Sequence, residues 1–134
     1  MTRVSTSFVR DRELIIVEAE VVGRGGRTTG ARLVLDTGAA ATTLTPNVIQ
    51  AVGYSRRDAY KESTVHTAVG KERGYWIHVA EFTVLDVTTH DFAVTVFPLG
   101  HRDIDGLVGM NFLRHFNFEV RPVEQLIHLE LIEP

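Results

Sequence analysis

Apolar and polar positions alternate at short range along most of this chain, and glycines or prolines interrupt them every few residues, a strand-dominated pattern. Residues 13–22 (ELIIVEAEVV) read as an extended segment, closed by a turn or loose loop at Gly23-Arg24-Gly25-Gly26. Residues 28–35 return as a second strand that ends in the apolar run Leu33-Val34-Leu35. Thr45-Pro46 has the form of a helix N-cap followed by proline at the first helical position. Gly53 supplies the stop, so a short helix is expected over 46–52. Residues 60–69 and 74–85 are expected as hairpin arms, with Gly70-Lys71-Glu72-Arg73-Gly74 between them as the tip. A strand over 91–97 closed by Pro98, a short helix over 110–116, and strands over 117–121 and 125–132 complete the pattern. Short strands, two helices of one or two turns and Gly-punctuated hairpins indicate an all-β, barrel-like fold, with an α+β domain as the alternative.

Bulk properties narrow the function classes. At 134 residues the chain is expected to be one domain over 1–134, long enough for a core. It carries 17 acidic against 14 basic side chains, which leaves no basic footprint, so no nucleic-acid partner is expected. There is no cysteine, hence no disulfide, thiolate metal site or cysteine nucleophile. The histidines at 66, 78, 90, 101, 115 and 128 show no metal-ligand spacing, and no metal or cofactor is expected. No G-x-S-x-G nucleophile turn is present. Met1 to Arg12 is polar without a signal-peptide core, and no stretch reaches transmembrane length, so a cytoplasmic protein without a membrane partner is expected.

The chemistry-bearing stretch is Leu33-Val34-Leu35-Asp36-Thr37-Gly38-Ala39, which delivers one carboxylate off the end of an apolar strand. There, desolvation and close neighbours can tune an acid for proton transfer. Ala39 to Leu44 stay small and apolar, apart from two threonines, so backbone can approach backbone. Alone, Asp-Thr-Gly is equally an ordinary turn with Asp capping the backbone. A second element lies downstream, Asp105-Gly106-Leu107-Val108-Gly109-Met110-Asn111-Phe112-Leu113, where an apolar pair meets a glycine and opens a short helix.

Together these segments resemble the retropepsin-like aspartic proteases, single-domain relatives of pepsin found in retroviruses and many bacteria. The resemblance spans about residues 13–132. In that family an apolar-apolar-Asp-Thr/Ser-Gly-Ala segment carries the catalytic Asp, and a later apolar-apolar-Gly segment crosses behind it. The resemblance implies an acid-protease barrel with one or two short helices. Carboxylate-driven peptide hydrolysis needs two carboxylates sharing a proton, and the chain has one such Asp. A homodimer acting on polypeptide substrates is therefore implied, with Asp36 of each chain forming the dyad.

Roles follow by resemblance, residue by residue. Asp36 would be catalytic. Thr37, Gly38, Ala39 and Thr42 would form the active-site loop and its grip on the partner, Thr42 from behind. Ala40, Ala41, Ala68, Val69 and Gly70 would contact substrate, the last three from the hairpin around Val69 to Gly74, which would be the flap. Leu107, Val108 and Gly109 would be the supporting element. The N- and C-terminal strands would interleave in the dimer. Tyr75 and Trp76 either line a substrate pocket or place one ring inward.

Positions 40 and 110 depart from the family's pattern, as does the candidate flap tip Gly70-Lys71-Glu72-Arg73-Gly74, more charged than the apolar tips of retroviral enzymes; Ala39 fits the family but differs from pepsin-type lobes. Ala39 cannot supply the hydroxyl that pepsin-type lobes often place there to favour the ionised carboxylate, so activity is expected at mildly rather than strongly acidic pH. Retroviral enzymes commonly pair an Asp with an Arg at the positions held here by Ala40 and Met110. Both partners are missing together, so no buried charge is stranded. Asp103 and Asp105 are in-chain candidates to partner Asp36, but their polar loop suits solvated turn residues better. Two other classes remain: a non-catalytic peptide-binding or dimerisation module of the same fold, and an actin-like or sugar-kinase-like ATPase. The ATPase needs a second domain and a second phosphate loop, neither of which is visible.

Overall fold

Residues 2–67, 70–100 and 103–131, which the structure (a computed structural model) describes, form eleven strands and two short α-helices. In chain order these are β1 (Thr2–Ser7), β2 (Val9–Asp11), β3 (Leu14–Val22), β4 (Thr28–Leu35), β5 (Thr43–Leu44) and α1 (Pro46–Ala51). Then come β6 (Lys61–Thr67), β7 (Gly70–Val84), β8 (Val87–Val96), β9 (Gly106–Val108), α2 (Met110–Leu113), β10 (Phe116–Arg121) and β11 (Leu126–Leu131). No helix among the described residues is long and apolar enough to cross a membrane.

Alternation drives the architecture. In β3, Val17, Ala19 and Val21 are buried while Glu18 and Glu20 face solvent. The strands β3, β4, β9, β5, β8 and β7 are hydrogen-bonded in that order, and β7 pairs back onto β3 through Ala19↔Val84 and Val21↔Phe82. The ring of six strands is therefore closed, with β2 added beside β3 and β6 beside β7. A separate three-stranded sheet, β1-β11-β10, joins the two ends of the chain and contributes Ile127 and Leu129 to the core.

Inside, Phe82 stacks on Phe92 at 5.0 Å between ring centres, and Phe112 of α2 meets both edge-on at 5.9 and 6.1 Å. Burying a ring of this size contributes roughly 1.5–3 kcal/mol, so this triad fixes where α2 lies. The unbroken run Leu33-Val34-Leu35 has a similar explanation. Leu33 and Leu35 enter the main core, and Val34 packs on the other side with Ile16 and Ile104. A strand covered on both faces carries a continuous apolar run.

The structure revises several boundaries. Gly70 to Gly74 is not the hairpin tip but the first part of β7, paired with β6 from Thr67↔Gly70 to Ser63↔Gly74. Gly74 is glycine for closeness, since a Cβ there would lie 2.2 Å from the Val96 carbonyl oxygen and 2.7 Å from the Phe97 ring. The strand expected over 91–97 is longer, Val87–Val96, and the second helix is shorter, Met110–Leu113. Thr45 precedes α1 without a side-chain cap, and Pro46 opens the helix. Ile132, the expected end of the last strand, lies outside the described residues. The N-terminal strand pairs within its own chain, in antiparallel register with β11 from Thr2↔Leu131 to Ser7↔Leu126.

Candidate active site

The chain leaves β4 at Leu35, whose partner on the parallel neighbour β9 is Val108. The next amide, Asp36 N–H, donates to the Val108 carbonyl at 3.0 Å. The loop then turns on its own aspartate: Gly38 N–H donates to Asp36 Oδ1 at 2.9 Å, and Ala39 N–H to the Asp36 carbonyl at 3.2 Å. Asp36 is half-buried and makes no ion pair among the described residues. Thr37 and Gly38 are exposed, and the Thr37 hydroxyl has no hydrogen-bond partner among the described residues. The loop thus leaves the Thr37 hydroxyl and Asp36 Oδ2 without hydrogen-bond partners among the described residues.

Behind the loop the structure is closed and polar. The first two amides of α2 hold it from below, Met110 N–H to the Ala39 carbonyl at 2.8 Å and Asn111 N–H to the Ala40 carbonyl at 3.0 Å. Gly109 permits that approach, because a Cβ would lie 2.4 Å from the Ala41 carbonyl oxygen. Thr42 is fully buried. Its hydroxyl donates to Asn111 Oδ1 at 2.8 Å and accepts from Gly109 N–H at 3.2 Å, while its amide also donates to Asn111 Oδ1 at 2.8 Å. Asn111 Nδ2 donates in turn to the Ala93 carbonyl on β8 at 2.9 Å. The Thr42 carbonyl accepts from Thr95 N–H at 2.9 Å, and the Thr43 and Thr95 hydroxyls meet at 2.7 Å. Each buried polar group here has a partner, the condition under which such a network stiffens a site.

Asn111 is the residue that sequence reading missed. With Ala40 and Met110 in place of a charged pair, neither side chain can brace the loop by charge. One amide does this work instead, joining α2, the loop and β8. The available signal was a lone polar side chain among Met110, Phe112 and Leu113, next to a motif already missing its brace.

Other candidates fall as follows. Ala40 is exposed and Ala41 half-buried beside the loop, Val108 and Gly109 are buried, and Leu107 is half-buried. Gly70 is exposed with φ +136°, whereas Ala68 and Val69 lie outside the described residues. Asp105 is a strand bracket rather than a solvated turn residue. Its carboxylate accepts from Arg32 N–H at 2.8 Å and its amide donates to the Arg32 carbonyl at 2.8 Å, four residues up β4 from Asp36. Asp103 is exposed. Among the described residues no three His, Asp or Glu side chains converge as a metal would require, and His101 lies outside them. Of the adjacent aromatics, Tyr75 is buried with Arg56 stacked 5.1 Å over its ring, and burial raises its phenol above the usual range. Trp76 is half-buried.

Comparison with known proteins gives a family and a fold. The family described as gag-polyprotein putative aspartyl protease matches residues 25–115, a span that holds both the Asp36 loop and the Gly106–Leu113 segment. Among solved structures, the chain is similar to a retropepsin-like aspartic protease from Rickettsia conorii, with 23% identity over 97% of this chain and 92% of that one and a TM-score of 0.71. At that identity the likeness establishes the fold: a retropepsin-like β-barrel with two short helices. No curated protein matches the sequence.

Proposed function

The chain belongs to the gag-polyprotein putative aspartyl protease family, and from that membership we propose that it is an aspartic endopeptidase whose site is completed by a second copy of itself. The observation that carries this reading is the isolation of Asp36. It is a half-buried carboxylate on a braced loop, with an exposed Thr37 beside it, and the in-chain candidate Asp105 is committed to Arg32. One carboxylate cannot both take a proton from water and give one to the peptide carbonyl. Asp36 of two chains can.

The two carboxylates would share one proton. The ionised one takes a proton from water as its oxygen attacks the peptide carbon, and the protonated one donates to the carbonyl oxygen. Collapse of the tetrahedral intermediate then transfers a proton to the leaving nitrogen and breaks the C–N bond. In this reading Thr37 ties the paired loops together across the two-fold axis, and Gly38 leaves room for the substrate backbone beside Asp36 Oδ1. The Thr42–Asn111 network holds each carboxylate at a fixed height.

The test is purified protein against a broad peptide library, with Asp36→Asn in parallel and oligomeric state measured by sedimentation. Cleavage is expected to peak at mildly acidic pH, to rise with the dimer fraction, and to fall about a thousandfold in Asp36→Asn. Cleavage that survives the substitution removes the aspartic mechanism. A strict monomer with full activity removes the shared dyad. A dimer that cleaves nothing at any pH points to a non-catalytic module of the same fold.

A further inference from the structure

A cavity of about 370 Å³ lies between the β6–β7 hairpin and β9, walled by Val65, Phe97, Pro98, Leu99 and Leu107 with one charged group, Glu72. Its position ties it to the site. Leu107 is the Cα partner of Val34 on β4 and of Thr43 on β5, and the residue after it supplies the carbonyl that holds the Asp36 amide. Val65 and Glu72 are opposite each other on the hairpin, so both belong to the face that covers the cavity. The neighbouring cations Lys71 and Arg73 belong to the opposite face by strand alternation. Glu72 makes no ion pair among the described residues.

A pocket with apolar walls and a single unpaired carboxylate suits a side chain with a methylene stem and a cationic end. An aliphatic side chain would gain the walls and leave Glu72 to water, and an acidic one would be repelled. We propose that Glu72 is a specificity-determining residue that selects lysine or arginine at the substrate position filling this pocket. The proposal rests on the endopeptidase reading for its placement beside a scissile bond, but the selectivity is a property of binding. Glu72 is exposed in the free chain, so the preference is modest: about fivefold for lysine over norleucine, the upper end for a partly hydrated pair.

The experiment uses peptides that differ at one position, occupied in turn by lysine, norleucine and glutamate and scanned along the sequence. One arm measures kcat/KM with the wild-type protein. The other measures binding of the same labelled peptides to Asp36→Asn, which requires no cleavage. At one position lysine is expected to exceed norleucine about fivefold in both arms, with glutamate weakest. Adding Glu72→Gln should remove the lysine preference, and Glu72→Lys should turn it toward glutamate, each variant keeping the melting temperature of its parent. A lysine-to-norleucine ratio within twofold of one at every position, or a ratio unchanged by Glu72→Gln, overturns the proposal. Cleavage without that ratio removes this inference alone. A Glu72-dependent ratio in binding without any cleavage removes the endopeptidase reading and keeps this one. Neither cleavage nor binding removes both.

Discussion

The two sides of the cavity between the β6–β7 hairpin and β9 are built on opposite principles. The floor (β4, β9, β5 and the start of α2) is glycine-tight and braced by buried hydrogen bonds: Thr42 is fully buried, Thr95 nearly so, and Asn111 links three elements. The roof, the hairpin of β6 and the first half of β7, exposes Lys71, Glu72 and Arg73 and leaves Val65 44% exposed. The floor holds the Asp36 loop in one place. From Lys61 to Arg73 the roof's described side chains are exposed or half-buried, so that part has little packing to lose. The proposed function would use both, rigidity where proton transfer sets the tolerance and adaptability where a peptide must fit.

The contrast fails if the floor is soft, so the largest effects are expected there. Gly106 packs so closely that a Cβ would lie 2.1 Å from the Thr43 carbonyl oxygen, and Gly106→Ala must separate β9 from β5. A loss of about 3 kcal/mol or more is expected, a large share of a single domain's stability. A chemical-denaturation midpoint within error of wild type would show that the crossing strands have slack. Asn111→Ala comes next. It orphans the Thr42 amide and the Ala93 carbonyl and removes one partner of the Thr42 hydroxyl, for an expected cost of about 2–4 kcal/mol. Activity should fall further than the folded fraction, because the Asp36 loop loses its brace. Activity proportional to folded protein would make Asn111 a stability residue only.

Much of the floor was legible from sequence and much of the roof was not. β4 and the Asp36 loop read correctly because their signal is local: an apolar run covered on both faces, then a turn made by the aspartate's own neighbours. Gly70 and Gly74 look like turn shoulders for equally local reasons, yet Gly74 answers to Val96 and Phe97, more than twenty positions away. Asn111 was overlooked for the same cause, its partner Thr42 being 69 positions distant. The first strand was hidden by polarity. Among its described side chains Val4 and Thr6 turn inward, and threonine does not announce a buried face.

Where the roof meets the body, a smaller effect depends on pH. The 3₁₀ turn Arg56–Asp58 precedes β6, and Asp58 closes its capping box by accepting from Ser55 N–H at 2.9 Å while also pairing with Arg24. The Ser55 amide, then Arg24, hold the Asp58 carboxyl below its ordinary value. The sign follows from that depression. The stabilisation is complete above the unfolded carboxyl's pKa, near 4, and is lost as pH falls through the lower folded value. The melting temperature of wild type should therefore exceed that of Asp58→Asn at pH 6, and the gap should close on acidification below pH 4. A gap that stays constant from pH 6 to pH 3 would assign the difference to packing instead of charge.

The smallest expected effect is the sharpest test of the roof. Lys71 and Arg73 lie on its outer face, exposed and without ion pairs among the described residues. Replacing both with glutamine should change stability by less than about 0.5 kcal/mol, as exposed substitutions outside a network do. It should also leave the lysine preference assigned to Glu72 intact, because alternation puts these cations across the strand from the cavity. Binding of the lysine and norleucine peptides to the double substitution, made in the Asp36→Asn chain, checks both points in one series. A lysine preference that strengthens would mean Lys71 and Arg73 had been partly neutralising Glu72 through the hairpin. The roof would then be an electrostatic unit, with its two faces coupled, and the selectivity would belong to all three charges.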